Sequence, residues 1–120
     1  MIIWFFSAST FFFLFSAKIR VPTEIFRIRN SQLTMNQHAE FDLRLFNVRD
    51  PFKNSSDTTL DNFQLKRYPP HNANLIVVKE LNALQEIELH VEMKIYTNNM
   101  LNSISIMKIL IYISQYDFYP

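Results

Sequence analysis

The chain is 120 residues long and nearly neutral, with 12 Lys and Arg against 11 Asp and Glu, and it contains neither glycine nor cysteine. Its length allows one domain with one modest core, and its charge lacks the basic surplus that phosphate neutralisation needs, so nucleic acid is not an expected partner. The missing glycine excludes phosphate-binding loops, dinucleotide fingerprints, nucleophile elbows and ordinary calcium-binding helix–loop–helix units, and the missing cysteine excludes thiolate nucleophiles, zinc–thiolate clusters and disulfides. Tight turns then fall to Asn, Asp, Ser and Pro, with eleven asparagines available for positive φ.

Residues 1–17 carry no charge, and seven of the seventeen are Phe or Trp. This predicts an N-terminal apolar helix that serves as a secretory signal peptide or as a membrane anchor. Ser16 and Ala17 are small residues near a cleavage point, although no Lys or Arg precedes the apolar run and Phe15 is bulky where a small residue is preferred. An anchor would sit at the lower length limit for a span of ~30 Å, with Lys18 and Arg20 holding its C-terminal side in the cytoplasm. The expected location is accordingly secreted or secretory-pathway, with a membrane-anchored chain as the alternative and membrane contact confined to residues 1–17. Within residues 18–29, Lys18, Arg20, Arg27 and Arg29 face Glu24 alone, which leaves eight positives against ten acids in residues 30–120. The triplet Asn54-Ser55-Ser56 is a glycosylation sequon if the body is translocated.

The body reads as strands. Ile25-Phe26-Arg27-Ile28-Arg29 starts a sheet and stops at Asn30-Ser31. Phe41-Asp42-Leu43-Arg44-Leu45 alternates, after which Phe46 and Val48 fall on the opposite face, so a bulge or register change is expected near Phe46, with Pro51 ending the strand. Phe63-Gln64-Leu65-Lys66 is a further strand, closed by Pro69-Pro70 because proline cannot donate to a ladder. Leu75-Ile76-Val77-Val78 is another. Residues 79–85 are ambiguous, since Val77, Leu81 and Leu84 approach helical spacing. They are read as the connection of a hairpin joining 74–79 to 86–96. In that last segment Ile87, Leu89, Val91, Met93 and Ile95 alternate with polar side chains, the pattern of a half-buried strand. Residues 104–113 hold five isoleucines and only Ser105 and Lys108 as interruptions. They form either a strand buried on both faces or a sticky, aggregation-prone extension. The expected fold is all-β, a small antiparallel β-sandwich of five or so strands preceded by the apolar helix. The organisation is 1–17 as leader or anchor, 18–99 as β-rich domain and 100–120 as apolar strand or extension.

Sites for chemistry are scarce. His38, His71 and His90 lie 33 and 19 positions apart, with no pair at ligand spacing on one element. His90 stands beside Glu88 and Glu92 on the polar face of its strand, where alternating charge keeps an exposed sheet soluble; a collected cation is the other reading. His38 and His71 fall in expected loops, and no serine is singled out for a triad. The chain is read as non-enzymatic, with no cofactor and no metal.

One stretch resembles a known group. Phe46-Asn47-Val48-Arg49, Phe63-Gln64-Leu65-Lys66, Asn74-Leu75-Ile76-Val77-Val78, then Leu84 and Ile87-Glu88-Leu89-His90-Val91 are similar in spacing to small secreted insect proteins related to the MD-2-type lipid-recognition sandwiches. The resemblance covers about half of the body. The cysteines of that family would fall at Asp50 and Phe63, so the bridge is missing, and residues 98–120 depart from its aromatic-proline continuation. It implies a sandwich whose sheets part at one end to admit a lipid or other hydrophobic small molecule, without catalysis. The implied ligand-lining positions are Phe41, Leu43, Leu45, Phe63, Leu65, Leu75, Val77, Leu89, Val91, Met93 and Ile95, which equally serve as closed core. The alternative function is a membrane-tethered interaction protein of marginal stability with no defined ligand.

Overall fold

The computed structural model describes residues 8–16, 20–30, 32–49, 58–81 and 85–114. Seven strands run through them: β1 (Ala8–Ser16), β2 (Thr23–Ile28), β3 (Gln37–Arg49), β4 (Phe63–Tyr68), β5 (Asn72–Val77), β6 (Glu86–Thr97) and β7 (Met100–Ser114). The helical content among the described residues is a single 3-10 turn at Leu60–Asn62. One sheet has the order β1-β7-β6-β3 and the other β2-β5-β4, and they face each other across one apolar core.

Period-two alternation builds that core from both sides. In β6 the side chains of Ile87, Leu89 and Val91 are buried while Glu86 stays exposed, and β5 buries Ala73, Leu75 and Val77 in the same rhythm. β7 adds Ile109, Ile111 and Ile113, and Ile28, Phe41, Phe63 and Leu81 complete the cluster. Each fully buried aliphatic side chain contributes on the order of 1.5–3 kcal/mol before chain entropy is subtracted. In β3 the register with β6 shifts between Leu45 and Asn47, which is the bulge expected near Phe46. Phe46 and Asn47 are both exposed there, and the extra residue returns Val48 to the core side.

Several expectations need correction. The apolar N-terminal segment is not a helix where it is described: Ala8–Ser16 is a strand, paired in parallel with β7 through nine consecutive partners from Ala8↔Ile106 to Ser16↔Ser114. Aromatic residues suit a pleated surface, and the free edge of β7 supplies the hydrogen bonds. Phe11 and Phe13 turn inward and pack on Phe26 of β2, with ring centroids 4.7 Å and 5.8 Å apart. No helix among the described residues is long and apolar enough to cross a membrane. The sandwich is therefore not purely antiparallel. Nor do β5 and β6 form a hairpin. β5 lies between β2 and β4, β6 between β3 and β7, because Val77 and Ile87 face the same core from opposite sheets, and one hairpin would leave the smaller sheet's apolar face uncovered. β7 is an inner strand, but its two faces differ: Ile109, Ile111 and Ile113 are buried, whereas Leu110 and Tyr112 are half-buried on the outer side. His38 sits in β3, not in a loop. The sequon residue Asn54, Pro51 and the middle of the 79–85 segment lie outside the described residues.

Two asparagine devices shape the connections, the first in place of glycine. The β6–β7 hairpin closes between Thr97 and Met100 through Asn98 and Asn99, at φ 52° and 66°, the paired left-handed conformation that a two-residue turn of matching twist requires. Asn62 is the second device. Its side chain donates to the Glu80 carbonyl at 3.1 Å and accepts the Thr59 amide at 3.0 Å, while its own carbonyl accepts from Val78 at 2.9 Å. It thereby ties the 3-10 turn to the crossover leaving β5.

Asn99→Val should lower stability by about 1–2 kcal/mol, since a β-branched residue resists positive φ, whereas Asn99→Gly should be neutral or stabilising; denaturant midpoints of the two variants check this. Asn62→Ala removes the side-chain partners of two part-buried backbone groups and should cost about 1–3 kcal/mol, about 0.5–1.5 for each bond, read from the same unfolding curves.

Candidate interaction face

Ten of the eleven implied lining positions are brought together in or against the core cluster. Phe41, Phe63, Leu75, Val77, Leu89 and Val91 are buried, and Leu43, Leu45, Leu65 and Met93 pack against them half-buried. Ile95 is half-buried further toward the β6–β7 turn.

Polar and exposed apolar groups gather instead on the outer face of the four-stranded sheet. The strand registers align two rows across it: Phe12, Leu110, Glu88 and Asn47 in one, Leu14, Tyr112, Glu86 and Arg49 in the next. Phe12 and Leu14 are 67% and 54% exposed, because they occupy the outward positions of β1 while Phe11 and Phe13 are drawn to the core. Between the rows lies a shallow groove of about 220 Å³, with Phe12, Leu110 and Tyr112 on its apolar side and Arg49, Glu86 and Glu88 on its charged side. Beside the groove, Phe46 points outward at the bulge, 65% exposed. Its ring stacks on His90 at 4.4 Å and 18° between planes.

Charges on this face form a ladder. His90 Nε2 lies 2.7 Å from Glu88 Oε2, which Lys108 of the neighbouring strand approaches at 4.0 Å. Arg49 meets Glu86 at 3.5 Å, Arg44 meets Asp42 at 3.5 Å and Lys94 meets Glu92 at 3.5 Å. Glu92 is thus turned to Lys94, and His90 has Glu88 alone as its carboxylate partner among these pairs. Such exposed pairs add little stability, ~0–1 kcal/mol each; their consequence is a patterned surface. Among the described residues, no group of three or more His, Asp or Glu side chains gathers as a metal site would require.

The remaining grooves differ in character. One opens at the side where β3 and β4 meet, between Ala39, Phe41, Arg67 and the Pro69-Pro70 turn. There the Arg67 guanidinium donates to the Phe41 carbonyl at 2.8 Å and the Ala39 amide donates to the Pro70 carbonyl at 2.8 Å, so backbone contacts strap the two sheets together. The outer face of the smaller sheet is polar, carrying the row Arg27, Asn74 and Lys66, with Glu24 bonded to Arg27 and Asn74.

The partition of strands, β2, β5 and β4 against β3, β6 and β7 with Greek-key connections, defines an immunoglobulin-like sandwich. Its first strand lies beside the last. The family model of the fibulin C-terminal Ig-like domain matches residues 10–115, and the chain belongs to that family. A solved zebrafish structure, "RET Cadherin Like Domains 1 to 4", is similar in fold, with a TM-score of 0.61 at 15% identity over 94% of this chain. This chain spans 24% of that one. No curated protein sequence matches. The all-β sandwich implied by the MD-2-related resemblance is present; the family that matches is the fibulin one.

The face was only half legible in the sequence. His90, Glu88 and Glu92 were placed on an outer surface by alternation, but in the run Phe11-Phe12-Phe13-Leu14 every residue is apolar and nothing local tells inward from outward. Phe46→Ala should cost no more than about 0.5–1.5 kcal/mol, the value of an exposed ring stack, and leave the β-type circular dichroism spectrum unchanged; a larger loss would place Phe46 in the core.

Proposed function

We propose that the chain is a non-enzymatic, extracellular recognition domain that keeps β1 in its fold and binds a protein partner through the outer face of its four-stranded sheet. The observation that carries this reading is the juxtaposition of exposed Phe12, Leu14 and Phe46 with a charged ladder around one shallow groove. Protein interfaces are built in this way, with aromatic anchors at the centre and a polar rim. The matched family and the cadherin-like neighbour support an extracellular setting, in which Asn54 would carry glycan.

Expression of the full chain in a secreting eukaryotic cell tests the setting: a glycosidase-sensitive mass shift abolished by Asn54→Gln supports it, and an unmodified cytosolic product overturns it. For the face, retention of the chain on an extracellular matrix preparation is compared with that of Phe46→Asp/Arg49→Glu and of Arg27→Glu/Lys66→Glu on the opposite sheet. The expected result is at least tenfold weaker retention for the first pair alone; equal loss in both, or in neither, overturns the assignment.

A second reading, a hydrophobic small-molecule ligand, is favoured by one observation, the opening beside Ala39, Phe41, Pro69 and Pro70 at the side of the core. A ligand seated there raises the melting temperature by mass action, so thermal melts against fatty acids and sterols decide it. A rise removed by Ala39→Trp supports the reading, and an unmoved melt across the panel removes it.

A further inference from the structure

Among the described residues the sandwich has four edge strands, and three are blunted against pairing with another chain. β3 presents exposed Glu40, Asp42, Arg44 and Arg49 and carries the bulge at Phe46. β2 presents exposed Glu24 and Arg27, with a register shift between Glu24 and Phe26 and Pro22 just before it. β4 presents exposed Lys66 and Arg67 and runs into Pro69-Pro70. Charge, bulges and proline are the devices that keep an edge from recruiting a further strand. β1 has none of them. Its nine residues include no charged residue, no proline and no glycine, its pairing with β7 is unbroken, and β7 is its one strand neighbour among the described residues.

We infer that β1 is a pairing edge for β1 of a second copy of this chain, the two running antiparallel about a two-fold axis at Phe12. The strand is close to self-complementary about that point. Phe12 meets Phe12 of the second copy, Phe11 meets Phe13, and Thr10 meets Leu14, so each direct pair is apolar or neutral and no charge opposes another. An uncharged edge holds nothing that would select a charged foreign strand, whereas a two-fold pairing closes on itself. It would join two four-stranded sheets into one of eight and place the exposed Phe12 and Leu14 beside their counterparts. The pairing uses the backbone of β1; of the side chains invoked for partner recognition it shares Phe12 and Leu14 and does not depend on Phe46 and Arg49 of β3.

The absence of cysteine makes the test direct. Directly opposed residues of an antiparallel pair have Cβ atoms about 4.5–5.5 Å apart, near the range that a disulfide bridges, so Phe12→Cys introduces a lone thiol on the axis. Leu60→Cys, also at an exposed position, is the control. The expected results are a full-length wild-type chain sedimenting at twice its monomer mass at micromolar concentration, and oxidation of Phe12→Cys giving covalent dimer at least tenfold faster than Leu60→Cys. Thr10→Lys/Leu14→Lys should weaken the dimer at least tenfold with the β-type spectrum retained, and Phe46→Asp/Arg49→Glu should leave it intact. A monomeric wild type, an open-ended polymer, or equal cross-linking of the two thiol variants would overturn the inference. Loss of the dimer in Phe46→Asp/Arg49→Glu alone would move the contact from the edge to the face and overturn it as well.

Discussion

The two sheets of this sandwich are joined by burial and by hydrogen bonds along their seams, with no covalent link across the core. Leu75 and Val77 from one side and Leu89, Val91, Ile109 and Ile111 from the other are essentially removed from water, and no disulfide connects the layers where immunoglobulin domains often have one. The whole structure then depends on register. A slip of one residue in β6 would carry Glu88 and His90 inward and Leu89 and Val91 outward, exchanging hydrophobic burial for the desolvation of charge. The bulge in β3 is the local answer to a sequence that departs from strict alternation. Without it Asn47 would face the core and Val48 the solvent; with it, the phase is reset for Val48, while Phe46, which alternation already turns outward, stacks on His90.

The lack of glycine constrains the connections in the same way that the lack of cysteine constrains the core. Asparagine occupies both left-handed positions of the tightest hairpin, where its short polar side chain tolerates positive φ better than other non-glycine residues. Elsewhere amide side chains satisfy backbone groups that a tighter turn would pair by itself. Asn62 does so at the β5 crossover; at buried Gln85 the side-chain oxygen accepts the Thr58 hydroxyl at 2.6 Å and the backbone carbonyl accepts the Ile113 amide at 2.9 Å. Polar side chains thus cap one end of an otherwise apolar interior, although Gln85 Nε2 is buried there without a hydrogen-bond partner among the described residues.

Half-buried strands could be read from the sequence because alternation is a local signal: β6, the alternating part of β3 and the short β4 show it in their own residues, while β5 was legible as the β-branched run Leu75-Ile76-Val77-Val78. What failed was pairing. The hairpin expected between β5 and β6 rested on sequence proximity, whereas the partners of β6 are β3 and β7, chosen by which arrangement covers both apolar faces. The proposed lining positions suffered from a related limit. Alternation gives the direction in which Leu75 or Val91 points but not whether another side chain or an empty space waits there; both lie within the buried cluster, whereas Phe41 also borders the opening beside Pro69 and Pro70. For β1 neither direction nor pairing was visible, since an uninterrupted aromatic run has no period and its partner β7 lies some hundred positions away.

The same property explains both readings of that segment. An uncharged, aromatic run is what a membrane or a translocation channel accepts, and it is also what the free edge of an apolar inner strand accepts, because in each case the surroundings supply no counter-charge. In the fold the run does two jobs at once: Phe11 and Phe13 seal the side of the core against Phe26, and Phe12 and Leu14 form the apolar bank of the outer groove. β7 contributes Leu110 and Tyr112 to that bank, while β6 and β3 contribute the charged one. Without β1, the backbone edge of β7 would be bare and the groove would lose its most exposed aromatic side chain. The strand least recognisable in the sequence is therefore the one on which the completeness of the larger sheet and the character of its outer face jointly depend.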